Sequence, residues 1–222
     1  MNRPLLLLLI FALLAVTGWL LSRLMKSTST EIVLPTKKPD SSVENTAYFK
    51  RLQNKAAAAK LYGTKRGFSS RFAFLVDMSL PSGRNRFFVY DLQKNFVLYA
   101  GLVAHGSCNT RFMATARFSN QAGCGCSSIG RYKVGEAYQG RFGRAFKLYG
   151  LDSTNSHAYE RAVVLHGYGC VPEAEIDPMP LCNSLGCTMV SYKFLALAKG
   201  VIEKEKKPVL LWVYNDGGKG KQ

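Results

Sequence analysis

The sequence predicts a mainly β domain, a sandwich or partial barrel with a few peripheral helices, preceded by one N-terminal membrane helix. Three observations carry this expectation. After Phe68 the chain breaks into short segments rich in β-branched and aromatic residues, separated by Gly, Pro, Ser and Asn. Helical spacing of apolar residues occurs in only a few places. The run from Pro4 to Ser22 carries no charge and is bounded by Arg3 and Arg23.

That first run is long enough to cross a bilayer. A cleaved signal peptide has a shorter apolar region followed by small residues at alternating positions. Gly18-Trp19-Leu20-Leu21-Ser22-Arg23 lacks that pattern, so residues 1–26 are expected to be an uncleaved signal anchor. Arg23, Lys26, Lys37 and Lys38 outnumber Arg3 and the α-amino group, and a positive-inside count alone would keep the remainder in the cytoplasm. Residues 27–45, rich in Ser, Thr, Lys and Pro without apolar period, read as a tether. After the tether, Ala47, Phe49, Leu52, Ala56, Ala59 and Leu61 recur at helical spacing, which predicts a docked amphipathic helix within 46–67.

The remaining domain, 68–216, carries the candidate strands: Phe72 to Met78, Arg86 to Asp91, Asn95 to Ala104, Gly130 to Gly135, Ala145 to Leu151, Ala162 to His166 and Val209 to Tyr214. Pro81-Ser82-Gly83 and Gln93-Lys94-Asn95 supply turns. One later helix is expected from about Ser191 to Glu203, with a short turn near Ser156 to Glu160. Residues 217–222 read as a flexible tail.

With 222 residues and 47% hydrophobic side chains, the chain has material for one domain plus an appendage. Thirty basic against fourteen acidic residues leave a formal charge of +16, which favours polyanions or acidic substrates. Nucleic acid is a poor candidate, because no nucleic-acid motif is present and the chain begins with a membrane segment.

Six cysteines (108, 124, 126, 170, 182 and 187) and three histidines (105, 157 and 166) admit three readings. His105 with Cys108, and His166 with Cys170, are close enough to pair on a metal, but Cys124-Gly125-Cys126 is too tight for the usual zinc loop. Disulfides in an oxidising compartment are the second reading, for example Cys170 with Cys182, with connectivity left open. The third makes one cysteine a nucleophile. Ala162 to Gly167 reads as a strand ending in a histidine, and Asn183 to Cys187 as a tight turn presenting a thiol. An imidazole beside a thiol stabilises the thiolate and holds a proton for a leaving amine. Amides around Gly186 and Cys187 are candidates to face an oxyanion.

His166-Gly167, followed about twenty residues later by Ser184-Leu185-Gly186-Cys187, resembles the signature of the L,D-transpeptidases, cysteine enzymes that crosslink bacterial peptidoglycan. Val103 to Gly106, Phe118 to Asn120, Ser127 to Tyr132, Tyr138 to Gly143, Leu148 to Leu151 and Arg161 to His166 resemble successive blocks of a divergent branch of the murein L,D-transpeptidase catalytic domain. The resemblance covers about Arg71 to Asp216. It implies an L,D-transpeptidase-like β fold, an acyl-enzyme mechanism without metal or organic cofactor, and peptidoglycan stem peptides as partners. It also implies a membrane-anchored domain outside the cytoplasm, in the cell envelope, and this chemistry overrides the charge count on orientation.

By the same resemblance, Cys187 is the nucleophile and His166 the general base. Ser184 and Gly186 flank the nucleophile, and the Gly167 carbonyl orients the imidazole. Ser119, Asn120 and Tyr132 belong to blocks near the substrate. The implied reaction releases terminal D-Ala from a tetrapeptide stem and passes the acyl group to an amine of a second stem. With water as acceptor the same site is an L,D-carboxypeptidase, and a noncatalytic peptidoglycan-binding domain is the remaining alternative. Two positions depart from the family pattern: Leu185 stands where a histidine is usual, and Thr188 where an arginine often follows the cysteine.

Overall fold

The computed structural model describes residues 47–216; the expected anchor, tether and tail lie outside them. Among the described residues no helix is long and apolar enough to cross a membrane. In chain order the elements are α1 (Ala47–Arg66), β1 (Phe72–Asp77), β2 (Phe87–Asp91), β3 (Phe96–Gly101), β4 (Val103–Ala104), β5 (Gly130–Gly140) and β6 (Gly143–Gly150). A 3-10 turn (Ser153–Asn155), β7 (Val164–Gly167), β8 (Thr188–Val190), α2 (Tyr192–Ile202) and β9 (Leu210–Tyr214) follow.

The nine strands of the described residues form one sheet in the order β3-β2-β1-β9-β5-β6-β7-β8-β4. The two edge strands are neighbours in sequence, because Leu102 alone separates the end of β3 from the start of β4. Consecutive Cα atoms are only about 3.8 Å apart, so the sheet must curl until its edges meet. The expected sandwich or partial barrel is therefore one curled sheet, open in its hydrogen bonding but closed in its chain path.

Residues on the inner face, among them Phe74, Phe87, Phe146, Leu165 and Leu211, share one core with Phe194, Leu195, Ala198 and Val201 of α2. Phe87 meets Phe74 and Phe194 edge-on, with centroids 5.5 and 5.0 Å away; truncating such a ring to Ala costs about 3–5 kcal/mol. On the outer face Ala73, Leu75 and Tyr90 pack under Leu52, Ala56 and Ala59 of α1. Strand β1 is thus buried on both faces along its whole length, which is why its sequence lacks polar alternation. Asp91 accepts from the amides of Gln93 and Lys94, closing the β2–β3 turn.

At the other end, β7 and β8 run parallel, and α2 follows β8 directly. Ser191 caps α2 by accepting from the Phe194 amide at 3.1 Å. Strand β8, three residues long, was too short to be read from the sequence.

Candidate active site

The parallel register pairs Leu165 with Thr188, His166 with Met189 and Gly167 with Val190. One residue earlier, Cys187 falls beside Val164, and Val164 and His166 point to the same face because strand side chains alternate. Cys187 and His166 are therefore brought to one side of two adjacent strands. Leu165, Thr188 and Val190 face the other way, Leu165 and Val190 into the core.

His166 is 4% exposed, and its Nδ1 lies 3.1 Å from the Gly167 carbonyl. A carbonyl only accepts, so Nδ1 carries the proton and Nε2 presents the lone pair of a base. Burial pulls the imidazole below its ordinary pKa, partly offset by that bond. The Phe142 ring stacks on it, and Tyr168 meets Phe142 edge-on at 5.3 Å.

Cys187 is half-buried and free, as is Cys124. Its thiol points at the Ala162 carbonyl, 3.7 Å away. Ala162 itself holds φ at 52°, the left-handed region that a Cβ disfavours. Burial pushes the Cys187 thiol up, opposed by the Val164 backbone and the charge of Arg161. A thiol raised and an imidazole lowered both rest neutral at pH 7.

Ser184 and Gly186 shape the turn. Ser184 Oγ donates to the Cys187 carbonyl at 2.8 Å and accepts from the Gly186 amide at 3.1 Å. The Gly186 amide, expected to face an oxyanion, is thus engaged within the turn. Gly186 has φ of 112°, and a Cβ there would lie 2.7 Å from the Cys126 carbonyl oxygen. A side chain at Gly167 would strike the Tyr192 ring at 2.7 Å. Leu185 is 78% exposed.

The other expected substrate residues fare differently. Tyr132 is buried, and its hydroxyl donates to the Ser128 carbonyl at 2.7 Å; it lies in the core inside the curled sheet. Asn120 donates to Ser153 and Ser156 and accepts from the His157 amide, tying two loops together. The Ser119 carbonyl accepts from Ser128 and Arg161, while its hydroxyl accepts from the Gln121 amide. Of the basic residues, Arg131 pairs with Asp152 and Arg144 with Glu203.

Among the histidines and remaining cysteines, Cys108 is joined to Cys126 and Cys170 to Cys182. His105 is fully buried between Arg86, whose Nη2 donates to its Nδ1 at 2.9 Å, and the Met113 carbonyl. That burial and the neighbouring guanidinium lower its pKa to about 4, so it is a neutral structural link. His157 is exposed. Sequence reasoning passed over Phe142 and Arg161. Phe142 sits in a recognised block, but its contact with His166 crosses from one hairpin to another strand.

The family model for the L,D-transpeptidase catalytic domain matches residues 43–214. The chain belongs to this L,D-transpeptidase family. Membership supports a peptidoglycan-modifying function in the cell envelope. Among solved structures, the family domain is similar to the helical cell shape determining protein Pgp2 from Campylobacter jejuni. Identity is 14%, over 68% of this chain and 49% of that one, with a TM-score of 0.39. It is also similar to the L,D-transpeptidase from Xylanimonas cellulosilytica DSM 15894, at 13% identity over 66% and 61% of the two chains, TM-score 0.36. The match spans about half the length of the Pgp2 chain. No curated protein matches.

Proposed function

We propose that the domain is a peptidoglycan L,D-transpeptidase in which Cys187 attacks and His166 serves as base. The observation that supports this most is the free Cys187 thiol on the same side of adjacent strands as an imidazole whose Nδ1 is tied to Gly167. Sulfur attacks the carbonyl of the diamino-acid residue in a tetrapeptide stem as its proton passes to Nε2. The tetrahedral adduct collapses, the bond to D-Ala breaks, and the imidazolium returns the proton to the departing amine. The amine of a second stem then attacks the thioester, giving a proton to Nε2, and the thiol leaves reprotonated. Residues 1–26 would tether the domain in the envelope, and its two disulfides suit an oxidising compartment.

Intact-mass analysis after incubation with a carbapenem, and separately with tetrapeptide muropeptides, tests the reading. A covalent adduct and D-Ala release that both vanish in Cys187→Ala are expected. D-Ala release without crosslinked product makes water the acceptor. Turnover that survives in Cys187→Ala overturns the assignment.

A further inference from the structure

Arg161 stands five residues before His166 and outside every element, yet its guanidinium is the most connected polar group near the candidate nucleophile. Nη1 donates to the Ser119 carbonyl at 2.9 Å and to Ser128 Oγ at 2.5 Å. Nη2 donates to the Cys126 carbonyl at 2.6 Å and to Cys124 Sγ at 3.3 Å. All four acceptors lie in one loop, residues 119–128, and none of them is a carboxylate. Among the described residues no carboxylate lies within ion-pair distance of it, although Arg51, Arg71, Arg131 and Arg144 each have one. A cation with no carboxylate paired to it is left to act on an anion that forms nearby.

Beyond that loop, the nucleophile turn also comes close to the charge. A Cβ on Gly186 would lie 3.2 Å from Arg161 Nη2 and 2.7 Å from the same Cys126 carbonyl that Nη2 holds. The Arg161 guanidinium and the Cys126 carbonyl therefore form the wall against which Gly186 rests, one residue from the sulfur.

We propose that Arg161 is a positioning residue of this reaction: its unneutralised guanidinium favours the Cys187 thiolate and, by holding residues 119–128 behind Gly186, fixes the approach of the thiol. This rests on the assignment of Cys187 as nucleophile, but its test does not need turnover. The side chain acts through Cys187 and the turn, not by touching substrate. During attack the proton leaves Sγ for His166 Nε2, and the charge left on sulfur arises one residue from the turn that Arg161 walls.

The experiment is alkylation of Cys187 by iodoacetamide from about pH 6 to pH 11.5, followed at the level of the labelled peptide so that Cys124 is counted separately. In Arg161→Gln the midpoint for Cys187 labelling is expected to rise by about one pH unit, roughly a tenfold slower reaction at pH 7. Arg161→Lys should recover most of it. Should Arg161→Gln fail to fold, Cys124→Asp sets a carboxylate against the guanidinium without removing it, with Cys124→Ser as the size control; only the aspartate should raise the midpoint. An unchanged Cys187 profile in folded Arg161→Gln, or in Cys124→Asp, overturns the proposal even if the melting temperature falls. An equal shift in Arg161→Lys overturns the role of charge. If Cys187→Ala retains turnover, the nucleophile assignment fails, whereas the labelling profile still reports whether Arg161 acts on that thiol.

Discussion

Phe142 lies nearly flat against His166, with ring centroids 5.2 Å apart and planes inclined by 21°. The phenyl ring comes from the β5–β6 turn and is itself 44% exposed, so it is the cover that keeps water from one face of the imidazole. Burial holds His166 below its ordinary pKa, and a base works only when unprotonated. Phe142→Ala should therefore raise the His166 pKa toward about 6.5 and move the acid limb of acylation upward. Acylation at pH 6 should fall several-fold, with little change at pH 8. A pH profile of kcat/KM for D-Ala release checks this, and an unmoved acid limb would show that the ring shields nothing.

Gly186→Ala should disable the turn. The substituted residue would have to hold φ near 112° with its Cβ against the Cys126 carbonyl. Strain of this kind costs about 1–3 kcal/mol, and relief by backbone rotation would move Cys187 off its line to the substrate. Loss of at least about tenfold in thioester formation is expected, greater than for Ser184→Ala, which removes hydrogen bonds but adds no atoms. Carbapenem acylation rates for the two variants decide the order.

His105 links pH to stability. Folded, its pKa is depressed to about 4; unfolded, it returns to about 6.5. Between those values the unfolded chain binds the extra proton, so the stabilisation is fully present above about pH 6.5 and is lost as pH falls toward 4. The difference amounts to about 3 kcal/mol. Urea midpoints at pH 7 and pH 4.5 should differ by much less in folded His105→Gln than in the wild type.

The Cys170–Cys182 bridge closes a loop with a sequence separation of 12 residues just after β7. Replacing both by Ser should destabilise the domain by about 3 kcal/mol through the freer unfolded chain. Because the loop leads into Ser184, the variant should also acylate more slowly at a temperature where it remains folded. Thermal melting and acylation at 25 °C measure the two effects separately.

What could be read from the sequence followed the range of each signal. Strands such as Phe72 to Asp77 and Leu210 to Tyr214 announced themselves by continuous β-branched and aromatic residues bounded by turns, and the His166 and Cys187 motif was local enough to stand out. The pairing of β9 with β1 and β5 was invisible, because the residues concerned lie more than a hundred positions apart for β1. The same limit hid Phe142 and Arg161, whose partners come from other segments. The inward direction of Tyr132 was equally out of reach, because a motif block fixes position along the chain but not which way a side chain faces.

The position of β9 has a consequence for how the molecule comes into being. This strand lies between β1, among the first elements of the domain, and β5, near its middle. Until residues 210–214 are available, two halves of the sheet present unsatisfied edges and have no common partner. The domain cannot condense piece by piece as the chain lengthens. Its folding must await the last strand and then bring distant segments together, the slow kind of assembly expected when contacts are far apart in sequence. A chain ending before Leu210 should accordingly remain protease-sensitive as a whole rather than as a loosened end.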